Sequence, residues 1–199
     1  MSIPIVLTFG VASAVFYAAY FAWILGELLG ATLIPRLRYG PRRGVRRDRG
    51  SFLVNIITLV FAISVDFFIA VRGIGGVLPV WTYYLGIVLL VLGIAIRQWA
   101  IAVLGRFFTL TVKIQKGQKV VEEGPYRLVR HPSYTGLLLS IIGIALGLQS
   151  WVALLINLVV FGVVFGYRIH VEEKALVSGI GEEYVAYSKR TKRLIPFVI

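Results

Sequence analysis

Five apolar runs constrain this chain more than any other feature. Near Ile3 to Leu25, Phe52 to Val71, Trp81 to Leu104, Tyr134 to Leu148 and Trp151 to Tyr167 the sequence is close to continuous hydrocarbon. Crossing roughly 30 Å of bilayer core as a helix takes about 20 such residues. With 58% of 199 residues hydrophobic and only 15% charged, the chain lies outside the composition of soluble domains. The expected fold is an all-α integral membrane protein, a single membrane domain over residues 1–199 with about five transmembrane helices. The first run continues as an interfacial turn through Leu28 to Ile34, and Gln149-Ser150 alone separate the last two, which predicts a tight helical hairpin. No Lys or Arg precedes the first run, and it is too long for the core of a cleavable signal peptide, so it is expected to stay in the mature protein.

The charge of +12 is placed, not spread. Arg36, Arg38, Arg42, Arg43, Arg46, Arg47 and Arg49 lie between the first and second runs. Further cations lie between the third and fourth runs and after the fifth, so that 19 of the 21 fall in alternate loops on one side, leaving Arg72 opposite and Arg97 inside the third run. The positive-inside rule makes that side cytoplasmic, with the N-terminus outside and the C-terminus inside. The Arg cluster reads as a topology signal that also attracts anionic headgroups. Without a stacking platform beyond Tyr39 it does not read as a nucleic-acid site. The absence of Cys excludes disulfides, thiolate zinc sites and catalytic thiols. With only His131 and His170 for imidazole ligands, no metal site is expected.

Chemistry is concentrated on the cationic side. The run from Glu122 to Tyr134 packs aromatic, cationic and imidazole groups between two spans. Before it, Thr109 to Val121 alternates apolar and polar residues around Lys116-Gly117, the pattern of a short hairpin or an extended lip. Gly124-Pro125 breaks the lip and His131-Pro132 starts the fourth helix, whose N-terminus suits an anionic ligand group. Beyond the fifth run Arg168 and Glu172 stand four apart and share a helical face. This is either a surface ion pair at a helix end or, because both ends of the hairpin meet at one level, a site shared with His131 and Tyr134.

These residues carry a resemblance. The blocks Gly117-x-x-x-Val121, Gly124-Pro125-Tyr126, Arg130-His131-Pro132-Ser133-Tyr134-x-Gly136, Arg168-x-x-x-Glu172-Glu173, Gly181-x-Glu183-Tyr184-x-x-Tyr187-x-x-Arg190 and Leu194-x-Pro196-Phe197 occur in one order over residues 92–199. They resemble the isoprenylcysteine carboxyl methyltransferase (ICMT) family, and the five-helix layout is similar to its short prokaryotic members. The resemblance divides the chain into N-terminal helices with a basic loop, 1–91, and a methyltransferase core, 92–199. It implies S-adenosylmethionine as cofactor in a cytoplasm-facing pocket formed by the C-terminal half. Carried over position by position, Gln118, Lys119, Val120 and Val121 of the lip, Tyr126, His131, Pro132, Ser133, Tyr134 and Glu172 would bind it. Arg168 matches the family's substrate-side arginine. Many members carry His where this chain has Gln118, which keeps hydrogen-bonding capacity but cannot become cationic.

The cofactor's chemistry agrees with these residue types. Its methionine tail is zwitterionic, so a site of low dielectric needs an anion and a set of donors. Glu172 is the candidate anion, and His131, Tyr134 and the free N–H groups opening the fourth helix are the candidate donors. Tyr126 and the Val120-Val121 pair could hold the adenine. A carboxylate acceptor is ionised at neutral pH and needs no base, so Arg168 need only orient it. An amine acceptor would need one, for which His131 and Glu173 are candidates. Glu182 to Arg193 reads as an amphipathic helix, either docking on headgroups or closing the pocket with Arg190 as a second anion contact.

The reading is therefore carboxyl O-methylation of an isoprenylcysteine or similar lipid-linked carboxylate, the partners being a lipidic or prenylated acceptor and membrane lipids. The alternatives are a phospholipid N-methyltransferase, an NADPH-dependent sterol or enone reductase of related architecture, and a non-enzymatic scaffold. Gly136, Gly143, Gly147, Gly162 and Gly166 fit either close helix packing or a groove for an isoprenoid tail. Among the polar residues in the spans, Glu27, Asn55, Asp66, Arg97 and Asn157, a pair between Arg97 and Asp66 is expected, since a charge in hydrocarbon requires a partner.

Overall fold

The computed structural model describes all residues except 1, 2, 9, 41–44, 47–49, 116 and 197–199. Of the residues singled out above, Arg42, Arg43, Arg47, Arg49, Lys116 and Phe197 lie outside the described set, as does the side chain of Asn55. The helices are α1 (Val11–Leu28), α2 (Ile34–Tyr39), α3 (Ser51–Arg72), α4 (Val80–Leu104), α5 (Pro132–Gly147), α6 (Trp151–Ile180) and α7 (Glu182–Arg190). A single π-helical stretch, Leu29–Leu33, joins α1 to α2. Among the described residues, Val11–Tyr39, Val80–Phe107 and Trp151–Ile180 are long and apolar enough to cross a membrane, with Pro132–Gly147 a shorter apolar helix. The chain is an integral membrane protein, and the five apolar runs of the sequence fall on α1, α3, α4, α5 and α6.

One boundary differs from expectation, for a physical reason. The last apolar run ends at Tyr167, yet α6, 30 residues long, continues to Ile180. At 1.5 Å per residue this is about 45 Å, so its final third stands beyond the hydrocarbon and can carry Arg168, Glu172 and Glu173. Of the two expectations for Thr109 to Val121, a short hairpin or an extended lip, the described residues favour the lip. It pairs antiparallel with the basic loop, β1 (Val45–Arg46) against β2 (Lys113–Ile114), in the register Val45 to Ile114 and Arg46 to Lys113.

Glycines set the tightest packing. A Cβ on Gly86 would fall 2.3 Å from the Gly147 nitrogen, and one on Gly136 would fall 2.7 Å from the Arg97 nitrogen. Backbone atoms cannot yield to such contacts, so α4 and α5 touch along Gly86, Gly93, Gly136, Gly143 and Gly147. These α5 glycines serve packing and not a tail groove, whereas a Cβ at Gly162 or Gly166 would meet nothing within 4 Å. Around this pair, Phe16, Leu90, Ile144, Phe161 and Phe165 form the buried core.

Buried polar side chains pair differently from the sequence expectation. Arg97 bonds to Glu27 through both carboxylate oxygens, at 2.6 Å from Nη2 to Oε2, not to Asp66. Asp66 instead accepts from Asn157 Nδ2 at 2.8 Å. The reason is vertical position: Glu27 lies beside the π-helical stretch at the level of Arg97, whereas Asp66 follows α3 away from it and meets α6.

Candidate functional site

The pocket lies at the end of the bundle where the basic loop, the lip and the C-terminal segment meet. The close approach of α4 and α5 puts Arg97 under the first turn of α5, where Nη1 donates to the Ser133 carbonyl at 3.1 Å and to its Oγ at 2.8 Å. The C-terminal segment is pinned to the same turn: Arg130 N donates to Lys192 O at 2.7 Å and His131 N to Arg193 O at 3.0 Å. Glu173 binds this corner together, accepting from Arg130 Nε at 2.9 Å and Arg193 Nη2 at 2.9 Å, with His131 Nε2 at 3.4 Å.

Facing this corner, Tyr134 joins the two charged residues of α6. Its hydroxyl accepts from Arg168 Nε at 2.6 Å and donates to Glu172 Oε2 at 2.9 Å. Arg168 is buried, also donates to the Leu110 carbonyl of the lip, and lies over the Tyr134 ring. The two residues four apart on α6 are thus linked through a phenol. Glu172 Oε1 has no hydrogen-bond partner among the described residues.

The cavity wall includes Gln118, Lys119, Val120, Val121, Tyr126, His131, Ser133, Tyr134, Arg168 and Glu172, so most of the residues singled out in the sequence converge. Pro132, Glu173 and Arg190 do not line it. Pro132 turns its ring into the first turn of α5 as a fully buried residue. Glu173 is taken up by the Arg130, Arg193 and His131 corner, so it is not placed as a base. Arg190, expected as an anion contact, is exposed and pairs with Glu122 of the lip. Gln118 turns its side chain onto its own loop, Oε1 accepting from Gln115 N at 3.0 Å.

Of the two readings of Glu182 to Arg193, the structure favours closure of the pocket: helix α7 brings Tyr184 and Tyr187, both buried, onto the cavity wall. Tyr187 donates to the Tyr126 carbonyl at 2.7 Å, and burial pushes its phenol up to about 12. The Tyr126 and Tyr184 phenols are also pushed up by burial. The aromatic spacing of α7 was the signal for this closure. Two features went unread in the sequence. Arg130 lines the cavity as well. Lastly, Glu27, Leu28, Ala31 and Thr32 of α1 and its π-helical stretch, Ile56 and Leu59 of α3, and Phe107 and Phe108 form a second, apolar lobe. Leu28 and Ile56 are at the same time exposed on the outer face of the bundle, where lipid would lie.

One continuous pocket is therefore lined by two glutamates, Glu27 and Glu172, three arginines, Arg97, Arg130 and Arg168, and four tyrosines, together with an apolar part of the wall. No group of three or more His, Asp or Glu residues suited to a metal occurs among the described residues. Fold and pocket define an intramembrane helical protein with an amphiphilic ligand site at one end. The sequence model of the isoprenylcysteine carboxyl methyltransferase (ICMT) family matches residues 85–178, a little under half of the chain. It is 36% identical over 120 residues to protein-S-isoprenylcysteine O-methyltransferase B of Arabidopsis thaliana, covering 59% of this chain and 61% of the relative. It is 36% identical over 116 residues to the protein-S-isoprenylcysteine O-methyltransferase of Saccharomyces cerevisiae, covering 57% of this chain and 48% of that one. The chain thus matches between half and three fifths of these relatives' lengths. A solved structure of a eukaryotic intramembrane Ras methyltransferase, ICMT, superposes with a TM-score of 0.70 at 22% identity, over 98% of this chain and 70% of that one. That likeness establishes the shared fold.

Proposed function

We propose that this protein is a membrane methyltransferase that uses S-adenosylmethionine to esterify the carboxylate of an isoprenylcysteine or a similar lipid-linked acid. The observation that carries the reading is Arg168 and Glu172 held on one phenol, a cation and an anion together on the cavity wall. The match of residues 85–178 to the family model supports it.

The residues present fit this cofactor. Glu172 keeps one carboxylate oxygen for its ammonium, while Val120, Val121 and Tyr126 offer an apolar and aromatic wall for its adenine. When bound, it would supply a methyl group on a positively charged sulfur. Gln118 and Lys119 contribute through their backbone, and His131, Pro132, Ser133 and Tyr134 shape the wall on the side of α5. Arg168 would orient the acceptor carboxylate toward that methyl group. Burial of Arg168 strengthens that orientation, and alignment of the reactants supplies several kcal/mol, in the range of about 7–11 for well-oriented pairs. No residue has to move a proton, because the acceptor arrives ionised. The apolar lobe would take the acceptor's tail from the lipid. By the positive-inside rule the pocket faces the cytoplasm.

Purified protein in lipid vesicles, given donor labelled on the methyl group and S-farnesylcysteine, should form a product that releases labelled methanol in mild base. Arg168→Ala should lower that rate by about 100-fold or more, the scale seen when an oriented electrostatic contact is removed, while leaving donor affinity within about twofold. Base-stable label would point to a nitrogen acceptor and would count against the ester.

A further inference from the structure

The first turn of α5 presents fewer free donors than a helix start normally does. His131 N and Tyr134 N are bonded to Arg193 O and His131 O, Pro132 has no N–H, and Ser133 Oγ accepts from Arg97. A zwitterionic ligand whose ammonium sits on Glu172 still needs donors for its carboxylate, and they must come from elsewhere on the wall.

Two groups on the wall are unspent. Tyr184 is 4% exposed, and its hydroxyl is buried without a hydrogen-bond partner, a disfavoured state for a phenol unless a ligand completes it. Arg130 is held by Nε on Glu173 and by Nη1 on the Ser188 and Thr191 carbonyls, while Nη2 has no partner among the described residues. Its side chain is only 10% exposed, so the remaining N–H groups are fixed in place. Tyr184, Arg130 and Glu172 all line the one cavity, which brings a neutral donor, a cation and an anion to the same wall.

We infer that Tyr184 and Arg130 form a carboxylate subsite for the amino-acid end of the methyl donor, opposite Glu172. This rests on the proposed methyltransferase reading and adds ligand roles for two side chains. An α-amino acid carries its two charges on one carbon, and only a site with adjacent opposite charges can hold both. Arg130 supplies charge and a fixed fork. The Tyr184 hydroxyl supplies the second donor and thereby gains the partner it lacks.

The test is calorimetric binding to purified full-length protein with two probes, S-adenosylhomocysteine and 5′-methylthioadenosine, which lacks the amino-acid end. Tyr184→Phe should weaken S-adenosylhomocysteine about tenfold, the loss of one hydrogen bond to a charged group, and leave 5′-methylthioadenosine within about twofold. Without ligand, the variant should melt at the wild-type temperature or above it, since no bond is lost. Equal weakening of both probes, no weakening of either, or a lower melting temperature without ligand would each overturn the subsite. Wild-type protein that binds neither probe would overturn the methyltransferase reading along with it.

Discussion

The two ends of the helical bundle are closed by different chemistry. At one end a single neutral side chain does most of the closing: Gln149 Oε1 accepts from Ile5 N at 2.7 Å, and Nε2 donates to the Leu78 carbonyl at 2.8 Å. Its own carbonyl accepts from Leu78 N at 2.8 Å. Gln149 holds a left-handed conformation, φ 55°, in the two-residue link of the hairpin, a strain of about 1–3 kcal/mol that these bonds offset. At the other end the closure is ionic, through Glu27 with Arg97 and Glu173 with Arg130 and Arg193, and it surrounds a cavity. Neutral bonds suffice where only the loops must be tied. Charges appear where a polar ligand is to be received, and they must be supported by partners of their own.

The comparison can be broken at either end, with different consequences. The largest effect on stability is expected from Glu27→Ala, which leaves Arg97 buried beneath α5 without its carboxylate. Removing one partner of a buried pair costs about 3–5 kcal/mol. Thermal unfolding in detergent should fall accordingly, and donor affinity should fall too, because Arg97 also holds Ser133 at the cavity wall. An unchanged melting temperature would mean that the pair is not formed.

Gln149→Ala should cost about 2 kcal/mol, two side-chain hydrogen bonds at roughly 1 kcal/mol each, and should leave donor affinity unchanged. That dissociation is the signature of an end that serves only structure. A loss of affinity as large as that of Glu27→Ala would merge the two ends into one.

The smallest effect is expected at Tyr187. Removing the hydroxyl that bonds the Tyr126 carbonyl should cost about 1 kcal/mol. Burial raises the folded phenol from the ordinary tyrosine value, about 10, to about 12. Its contribution is therefore complete below pH about 10 and is lost as pH rises toward 12. Melting temperature measured between those limits should fall less steeply with pH in Tyr187→Phe than in wild type, and parallel slopes would contradict this.

How much could be read from residues alone also divides between the ends. The spans and the Gln149-Ser150 hairpin were legible, because length and apolarity fix a transmembrane helix without tertiary information. Linked polar blocks drew together part of the cavity wall, from Gln118 to Tyr134 with Arg168 and Glu172. Pairing was not legible. Arg97 had two acidic candidates, and only the path of α1 into its π-helical stretch brings Glu27 to it and not Asp66. The β1–β2 contact joins residues almost 70 positions apart through two residues on each side, too short to leave a periodic pattern. Tyr184 and Arg130 read as part of an amphipathic helix and a basic loop. Their significance lies in an unpartnered Tyr184 hydroxyl and in the Nη2 group that Arg130 keeps after its other bonds are made, neither of which leaves a mark in the sequence.

The central claim is that Glu172 anchors an S-adenosyl ligand at the charged end. The most direct measurement is calorimetric binding of S-adenosylhomocysteine and of NADPH to the purified protein and to its Glu172→Ala variant. The account predicts binding of the first and not the second by wild type, with a loss of about 10-fold or more in the variant, the scale of a charge-assisted bond. Binding of NADPH alone, or equal affinity of both proteins for S-adenosylhomocysteine, would contradict it.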